Sequence, residues 1–262
     1  MCRASMSTNY WEAIESTSVP PEDSHFEKLS ETERKALLAW KWAFDTLLLR
    51  DKTIAMADVF YSYMKRDWWC DSYRHIDIGV WGGWLPIELF KNDKVHGRTI
   101  IQEYHGIDID DKALAVAANN AKKHWLQLNL HKGDLLQPLH EILANNSAAN
   151  IALTANLPYN TDAERDTYDE VIRAEPRHAI VWWGEDWLDM YRKFLEQFAA
   201  IHDKIHILIL QWSSSNTYKL CNMCDALHIP GMEFYVEHDG RGKPRYVLWL
   251  RMKQHLYESP NM

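Results

Sequence analysis

Ile151-Ala152-Leu153-Thr154-Ala155-Asn156-Leu157-Pro158-Tyr159 opens as a near-continuous apolar run and closes on a tetrapeptide of mixed character. A short apolar run bounded by a turn signal reads as a strand buried on both faces. That is the pattern of a parallel sheet covered by helices. Asn156-Leu157-Pro158-Tyr159 then falls just past the carboxyl end of the strand. In open α/β sheets that rim is where ligands bind.

The same alternation extends outward in both directions. Ile76-Asp77-Ile78-Gly79-Val80 reads as a strand running into a glycine turn, with a helix over 85–90. Residues 99–110 hold a second strand ending at Asp108, followed by a helix over 111–124. Leu114, Ala117, Ala118, Ala121 and Trp125 share one face of that helix. A third strand covers 126–130 and leads into Gly133-Asp134. Downstream come an amphipathic helix over 186–200, a fifth strand over 205–210 and a helix over 214–227. Strands over 233–237 and 246–250 flank Asp239-Gly240-Arg241-Gly242, a hairpin signal. The order predicts an α/β fold: a doubly wound, Rossmann-like, mostly parallel sheet of seven strands that ends in an antiparallel hairpin. We assign it to residues 71–255. Residues 1–70 form a separate N-terminal region: a polar lead to about 29, an apolar helix over 31–49 and a second helix over 54–64.

Composition narrows the function. A formal net charge of −8 argues against a long nucleic-acid footprint. No uncharged apolar run approaches the roughly 20 residues that span a bilayer. Met1-Cys2-Arg3-Ala4-Ser5 lacks the apolar core of a secretory leader, and four cysteines in 262 residues make no disulfide framework. The expectation is a cytoplasmic protein without membrane contact. Cys221-Asn222-Met223-Cys224 is a single Cys-x-x-Cys pair, and the histidines show no ligand spacing, so no metal site is expected. Most of the thirteen tryptophans, among them Trp68-Trp69 and Trp182-Trp183, are expected to fill the core and its margins.

The strand ends carry the chemistry. The Asn156 side-chain oxygen and the Pro158 carbonyl can both accept hydrogen bonds from one planar NH2 group, with Tyr159 flat against it. Such a holder fits an amide or an exocyclic amine, and so nitrogen methylation. At the first turn Gly79 and Gly83 let backbone approach a ligand, and Asp77 can take an ammonium group; a plain glycine turn is the alternative. Asp108 can accept ribose hydroxyls, or serve as a second capping carboxylate beside Asp110 and Asp111. Asp134 can accept from an adenine amino group or cap the turn before Leu135-Leu136. Gln211, after the fifth strand, can line the pocket or satisfy a loop.

Three acidic strand ends followed by Asn-Leu-Pro-Tyr resemble the class I S-adenosylmethionine-dependent methyltransferases over residues 75–251. The resemblance implies S-adenosyl-L-methionine as cofactor, with Asp77 and Gly79 at its methionine part, Asp108 at the ribose and Asp134 at the adenine. Within that class the chain is most similar to the release-factor glutamine N5-methyltransferases. The matching stretches are Asp108 to Ala117, Gly133 to Leu139, Glu175-Pro176-Arg177-His178-Ala179 and Gly184 to Arg192, with Asp239-Gly240-Arg241 and Pro244-Arg245 at the close. It implies methyl transfer to a glutamine amide of a protein such as a release factor, with Asn156, Pro158 and Tyr159 holding the nitrogen. Two positions depart from the family pattern: Trp81 replaces a glycine, and Leu157 replaces a proline. Asn-Leu-Pro-Tyr is the usual form in ribosomal RNA adenine dimethyltransferases. An adenine N6-methyltransferase acting on RNA or DNA is therefore the alternative, with Arg165, Arg173, Arg177 and Arg192 as part of a basic strip. A third possibility is a scaffold whose cofactor turn Trp81 has spoiled, docking through the 31–49 helix.

Overall fold

Seven strands form one sheet in the order β3-β2-β1-β4-β5-β7-β6. They are β1 (Tyr73–Ile78), β2 (Ile101–Asp108), β3 (Leu128–Lys132), β4 (Asn150–Ala155), β5 (Ile205–Gln211), β6 (Met232–His238) and β7 (Pro244–Arg251). β1 to β5 are parallel, while β7 runs antiparallel to both β5 and β6. This is the expected architecture. The computed structural model describes residues 51–66, 72–97, 99–144, 150–167, 177–181, 188–213, 216–238 and 242–251. The expected polar lead, the 31–49 helix, both tryptophan pairs and the hairpin tip at 239–241 lie outside the described residues, as do Arg173, Glu175-Pro176 and 184–187.

The helices follow from right-handed crossovers. Moving from β1 to β2 to β3 places α2 (Trp84–Val95) and α3 (Asp111–Lys123) on one face. The chain then crosses back to β4 through α4 (Leu139–Ala144), on the other face. Beyond β4 come the short α5 (Asp162–Asp166) and α6 (Arg177–Ile180), then α7 (Leu188–Ala199) and α8 (Thr217–Leu227). α7 turns Leu188, Tyr191, Phe194, Leu195 and Phe198 inward, a spacing of three and four that gives one buried face.

The helix expected over 54–64 is α1 (Asp51–Arg66), which bonds to α2 and to the edge strand β6. Its Tyr61 hydroxyl donates to the Leu89 carbonyl (3.1 Å) and to Asp93 of α2, and its Tyr63 hydroxyl donates to Glu237 of β6. Asp93 is buried and also accepts from the Ile100 and Ile101 amides (3.3 and 3.1 Å) and from the Tyr104 hydroxyl (3.1 Å). A carboxylate removed from water needs this many donors.

β1 and β3 are offset along the chain from expectation. β1 starts at Tyr73 and stops at Ile78, because Gly79 turns into the left-handed region (φ +70°). β3 begins two residues late because α3 closes with a Schellman cap. The Leu126 amide donates to the Ala121 carbonyl (2.9 Å) and the Trp125 amide to Lys122 (3.2 Å). Trp125 occupies the left-handed position of that cap (φ +54°), where glycine is cheapest, and its side chain is 84% exposed. Little packing opposes the strain. Trp125→Gly is therefore expected to raise stability by about 0.5–1 kcal/mol, checked by urea denaturation.

Candidate active site

β1 lies between β2 and β4, so the loops after β1 and β4 leave neighbouring strand ends in different directions. The crevice between such loops is the usual ligand position. The glycine turn is fastened to β2: the Gly79 and Val80 amides both donate to the Ile107 carbonyl (2.8 and 2.9 Å). Val80 lies so close over β2 that a Cβ at Gly106 would sit 2.6 Å from its Cγ2. On the other side a Cβ at Gly79 would lie 3.4 Å from Leu157 Cδ2, so the Asn156–Tyr159 loop packs against the glycine turn.

Trp81 lies within the turn. It takes a left-handed conformation (φ +44°) between Gly79 (φ +70°) and Gly83 (φ +76°), the N-cap of α2. A bulky residue rarely holds this conformation. Its amide donates to Asp108 Oδ2 at 2.9 Å, which anchors the strained peptide.

Two buried carboxylates lie near the ends of β1 and β2. Asp108 accepts the Trp81 amide on one oxygen and the Asp110 amide (3.0 Å) on the other. Each carboxylate oxygen keeps a second acceptor site, enough for a diol. Burial holds the Asp108 carboxyl above its ordinary range. Asp110 caps α3 through the Lys112 amide (2.9 Å), as expected for it or Asp111. Asp77 is 5% exposed and accepts the Thr154 hydroxyl (2.7 Å) from β4. His75 Nε2 contacts the same hydroxyl at 2.8 Å. Burial pushes the Asp77 pKa up to about 8, with the Asp108 charge adding to it and the Thr154 hydrogen bond opposing it. Burial pushes His75 down to about 3, so that ring is neutral.

The Asn156–Tyr159 loop alternates in exposure. Asn156 projects into solvent, Leu157 and Tyr159 are buried, and Pro158 is half-buried. No hydrogen bond ties the Asn156 side chain to another described residue. The next residue, Asn160, is buried, and both its amide and its Nδ2 donate to the Ile180 carbonyl (3.3 and 3.2 Å). Arg177 Nε donates to Asp162 Oδ1 at 2.7 Å. Residues 177–181 are thus docked beside the loop. Tyr191 and Gln211 complete its floor. The Tyr191 hydroxyl lies 3.0 Å from the Gln211 carbonyl and 3.4 Å from the Leu157 carbonyl. Gln211 Nε2 lies 3.5 Å from the Tyr159 hydroxyl.

Asp134 has partners of its own. Its carboxylate pairs with Lys193 of α7, and its carbonyl accepts from the Gln137 amide (3.2 Å), a turn role. Arg177 and Arg192, named for a basic strip, are paired with Asp162 and Asp189. Among the described residues no group of His, Cys, Asp and Glu could hold a metal ion, and no helix is long and apolar enough to cross a membrane. Thr154, Gly106, Asn160 and Tyr191 were not singled out from sequence. Tyr191 carries the spacing of an ordinary core residue, and Asn160 directly follows the recognised motif.

No family model matches the chain. A release factor glutamine methyltransferase of Bacillus cereus is 30% identical over 144 residues, 54% of this chain and 47% of the relative. A ribosomal protein uL3 glutamine methyltransferase of Francisella tularensis is 29% identical over 136 residues, 51% and 41% of the two chains. The chain spans about half the length of the curated relatives it matches. Among solved structures, the human METTL16 catalytic domain, in complex with a MAT2A 3'UTR hairpin, superposes with a TM-score of 0.60 at 12% identity, covering 86% of this chain and 84% of that one. The chain therefore has a methyltransferase fold and is related in sequence to glutamine methyltransferases, as its motifs indicated.

The buried Asp77 has a pH signature. Its native pKa of about 8 stands above the unfolded value of about 3.9, so the native state keeps a proton that the unfolded chain has lost. Stability then falls as pH rises through that window. Between pH 7 and 8 the buried histidines are neutral in the native state and shed their last fraction of a proton in the unfolded state, a contribution common to both proteins that cancels in the comparison. Over that interval the stability of the free protein is expected to fall by up to about 1.4 kcal/mol per pH unit more in the wild type than in Asp77→Asn. Chemical denaturation of both proteins at each pH checks this.

Proposed function

We propose that this relative of the glutamine methyltransferases transfers the methyl group of S-adenosyl-L-methionine to the side-chain amide nitrogen of a protein glutamine. The observation that carries the proposal is the packing of the Asn156–Tyr159 loop onto the Gly79 turn. It brings the loop read as a holder for planar NH2 groups next to the glycine turn and the two acidic strand ends, and so supports a ligand site between them. That site suits a cation. Asp77 and Asp108 both resist ionisation where they sit, and a bound ammonium would offset that resistance. Asp108 has acceptor sites to spare for ribose hydroxyls. Asp134 would meet the adenine amino group only by sharing its carboxylate with Lys193.

When bound, the cofactor supplies a methyl activated by its sulfonium, so the protein's task is placement. An amide nitrogen is a weak nucleophile because its lone pair is delocalised into the carbonyl. Hydrogen bonds from its two N–H groups to the Asn156 side-chain oxygen and the Pro158 carbonyl would hold it and favour a pyramidal nitrogen. Tyr159 would pack against the amide plane. The new N–C bond forms as the C–S bond breaks, and the nitrogen sheds its proton after transfer, so no general base is required. Orientation of this kind can supply roughly 7–11 kcal/mol in ideal intramolecular cases.

A release factor or a ribosomal protein, the substrates in the relatives' names, is the substrate class we favour. Adenine presents nearly the same NH2 group, and Leu157 gives the loop its nucleic-acid form. The pairing of Arg177 and Arg192 with carboxylates counts against a basic strip for that substrate.

Asn156→Ala is expected to lower transfer to a glutamine-bearing release factor by at least 100-fold and to leave cofactor affinity within about twofold. Asp108→Ala is expected instead to weaken cofactor binding at least tenfold. Calorimetry and a labelled-methyl assay separate the two, and equal losses in Asn156→Ala would remove that residue from the substrate side. Cofactor binding near pH 7 is also expected to release protons, because Asp77 must ionise to meet the ammonium. Calorimetry in buffers of different ionisation enthalpy reads that release, and none would take Asp77 out of the contact.

A further inference from the structure

We propose that Tyr191 and Gln211 form a two-point clamp that aims the Pro158 carbonyl, which makes both of them positioning residues for the transfer. The proposal rests on the function put forward above. The Leu157 carbonyl and the Pro158 nitrogen belong to one planar peptide unit. The pyrrolidine ring fixes Pro158 φ near −65°. Once the Leu157 carbonyl is pointed, a single torsion, ψ of Pro158, decides where the Pro158 carbonyl aims. The torsion is bounded on its far side by Tyr159.

Both sides of that torsion are held, and Gln211 takes part in each hold. On the near side the fully buried Tyr191 hydroxyl sits between the Leu157 carbonyl (3.4 Å) and the Gln211 carbonyl (3.0 Å). Its single proton is shared between the two carbonyls, with the shorter contact to Gln211, and so links the loop to the end of β5. On the far side the Gln211 carboxamide reaches the Tyr159 hydroxyl (3.5 Å). Gln211 is 1% exposed, and its Oε1 is buried with no hydrogen-bond partner. A methionine or leucine would fill the same space without an unsatisfied acceptor, so packing alone does not account for the carboxamide. Its one side-chain bond is the one to Tyr159. The clamp therefore acts on direction rather than on affinity. It leaves Asn156 free at the rim and fixes the other acceptor of the pair.

Tyr191→Phe removes only the hydroxyl, and Gln211→Met removes only the carboxamide. With the full chain, S-adenosyl-L-methionine and a glutamine-bearing release factor, each variant is expected to lose on the order of 10- to 100-fold in kcat. KM, cofactor affinity and melting temperature should stay close to wild type. The double variant should be no worse than the weaker single, because both residues serve one aim. A purely structural role would move melting temperature and affinity together with rate, and that outcome overturns the clamp. So do single variants with wild-type kcat, or losses that multiply in the double. A crystal structure of Tyr191→Phe gives a readout independent of activity, and an unmoved Pro158 carbonyl there overturns the proposal as well. A wild type that methylates no glutamine substrate would sink the functional reading instead. The crystal structure would still decide the clamp.

Discussion

The hydrogen bond from Thr154 to Asp77 joins β4 to β1 at the point where the sheet reverses its winding. Much of the site follows from that junction. It fixes the last turn of two strands against each other, so the loops that leave them must pack together before they part. Leu157 against Gly79 is the visible result. It also keeps a carboxylate in the interior with one hydroxyl as its partner, and burial then outweighs that partner in setting its protonation.

Strain gathers around the same point. Gly79, Trp81 and Gly83 all adopt positive φ within five residues. Only Trp81 has a side chain that resists it, and the Asp108 carboxylate holds its amide in place. That hydrogen bond reaches the backbone amide, a donor that any residue but proline would present. A carboxylate expected to bind ligand is thus also part of the scaffold that shapes the ligand's turn.

How much of this was legible in the chain depends on the kind of signal. The strands announced themselves through unbroken apolar runs, and Asp108, Asn156 and Pro158 fell at strand ends because the alternation placed them there. The apolar pattern starts β3 two residues early because nothing in His124-Trp125-Leu126 resembles a left-handed cap. Asp134 has the spacing of a pocket residue, while its pairing with Lys193 depends on how α7 crosses it, which only tertiary packing decides. Tyr191 illustrates the same limit from the other direction. Its periodicity is that of a core residue, and it is one; the meaning of its hydroxyl lies in two carbonyls that are 54 positions apart in sequence.

Asn160 closes the loop by donating twice to a carbonyl twenty residues further on, and Arg177 reaches back to Asp162 from the same segment. The tetrapeptide is therefore half of a two-part cassette. Under the proposed function, variation in what the loop would grip has to be written in two places at once, and an exchange of four letters between related enzymes would carry the fingertips without the wrist.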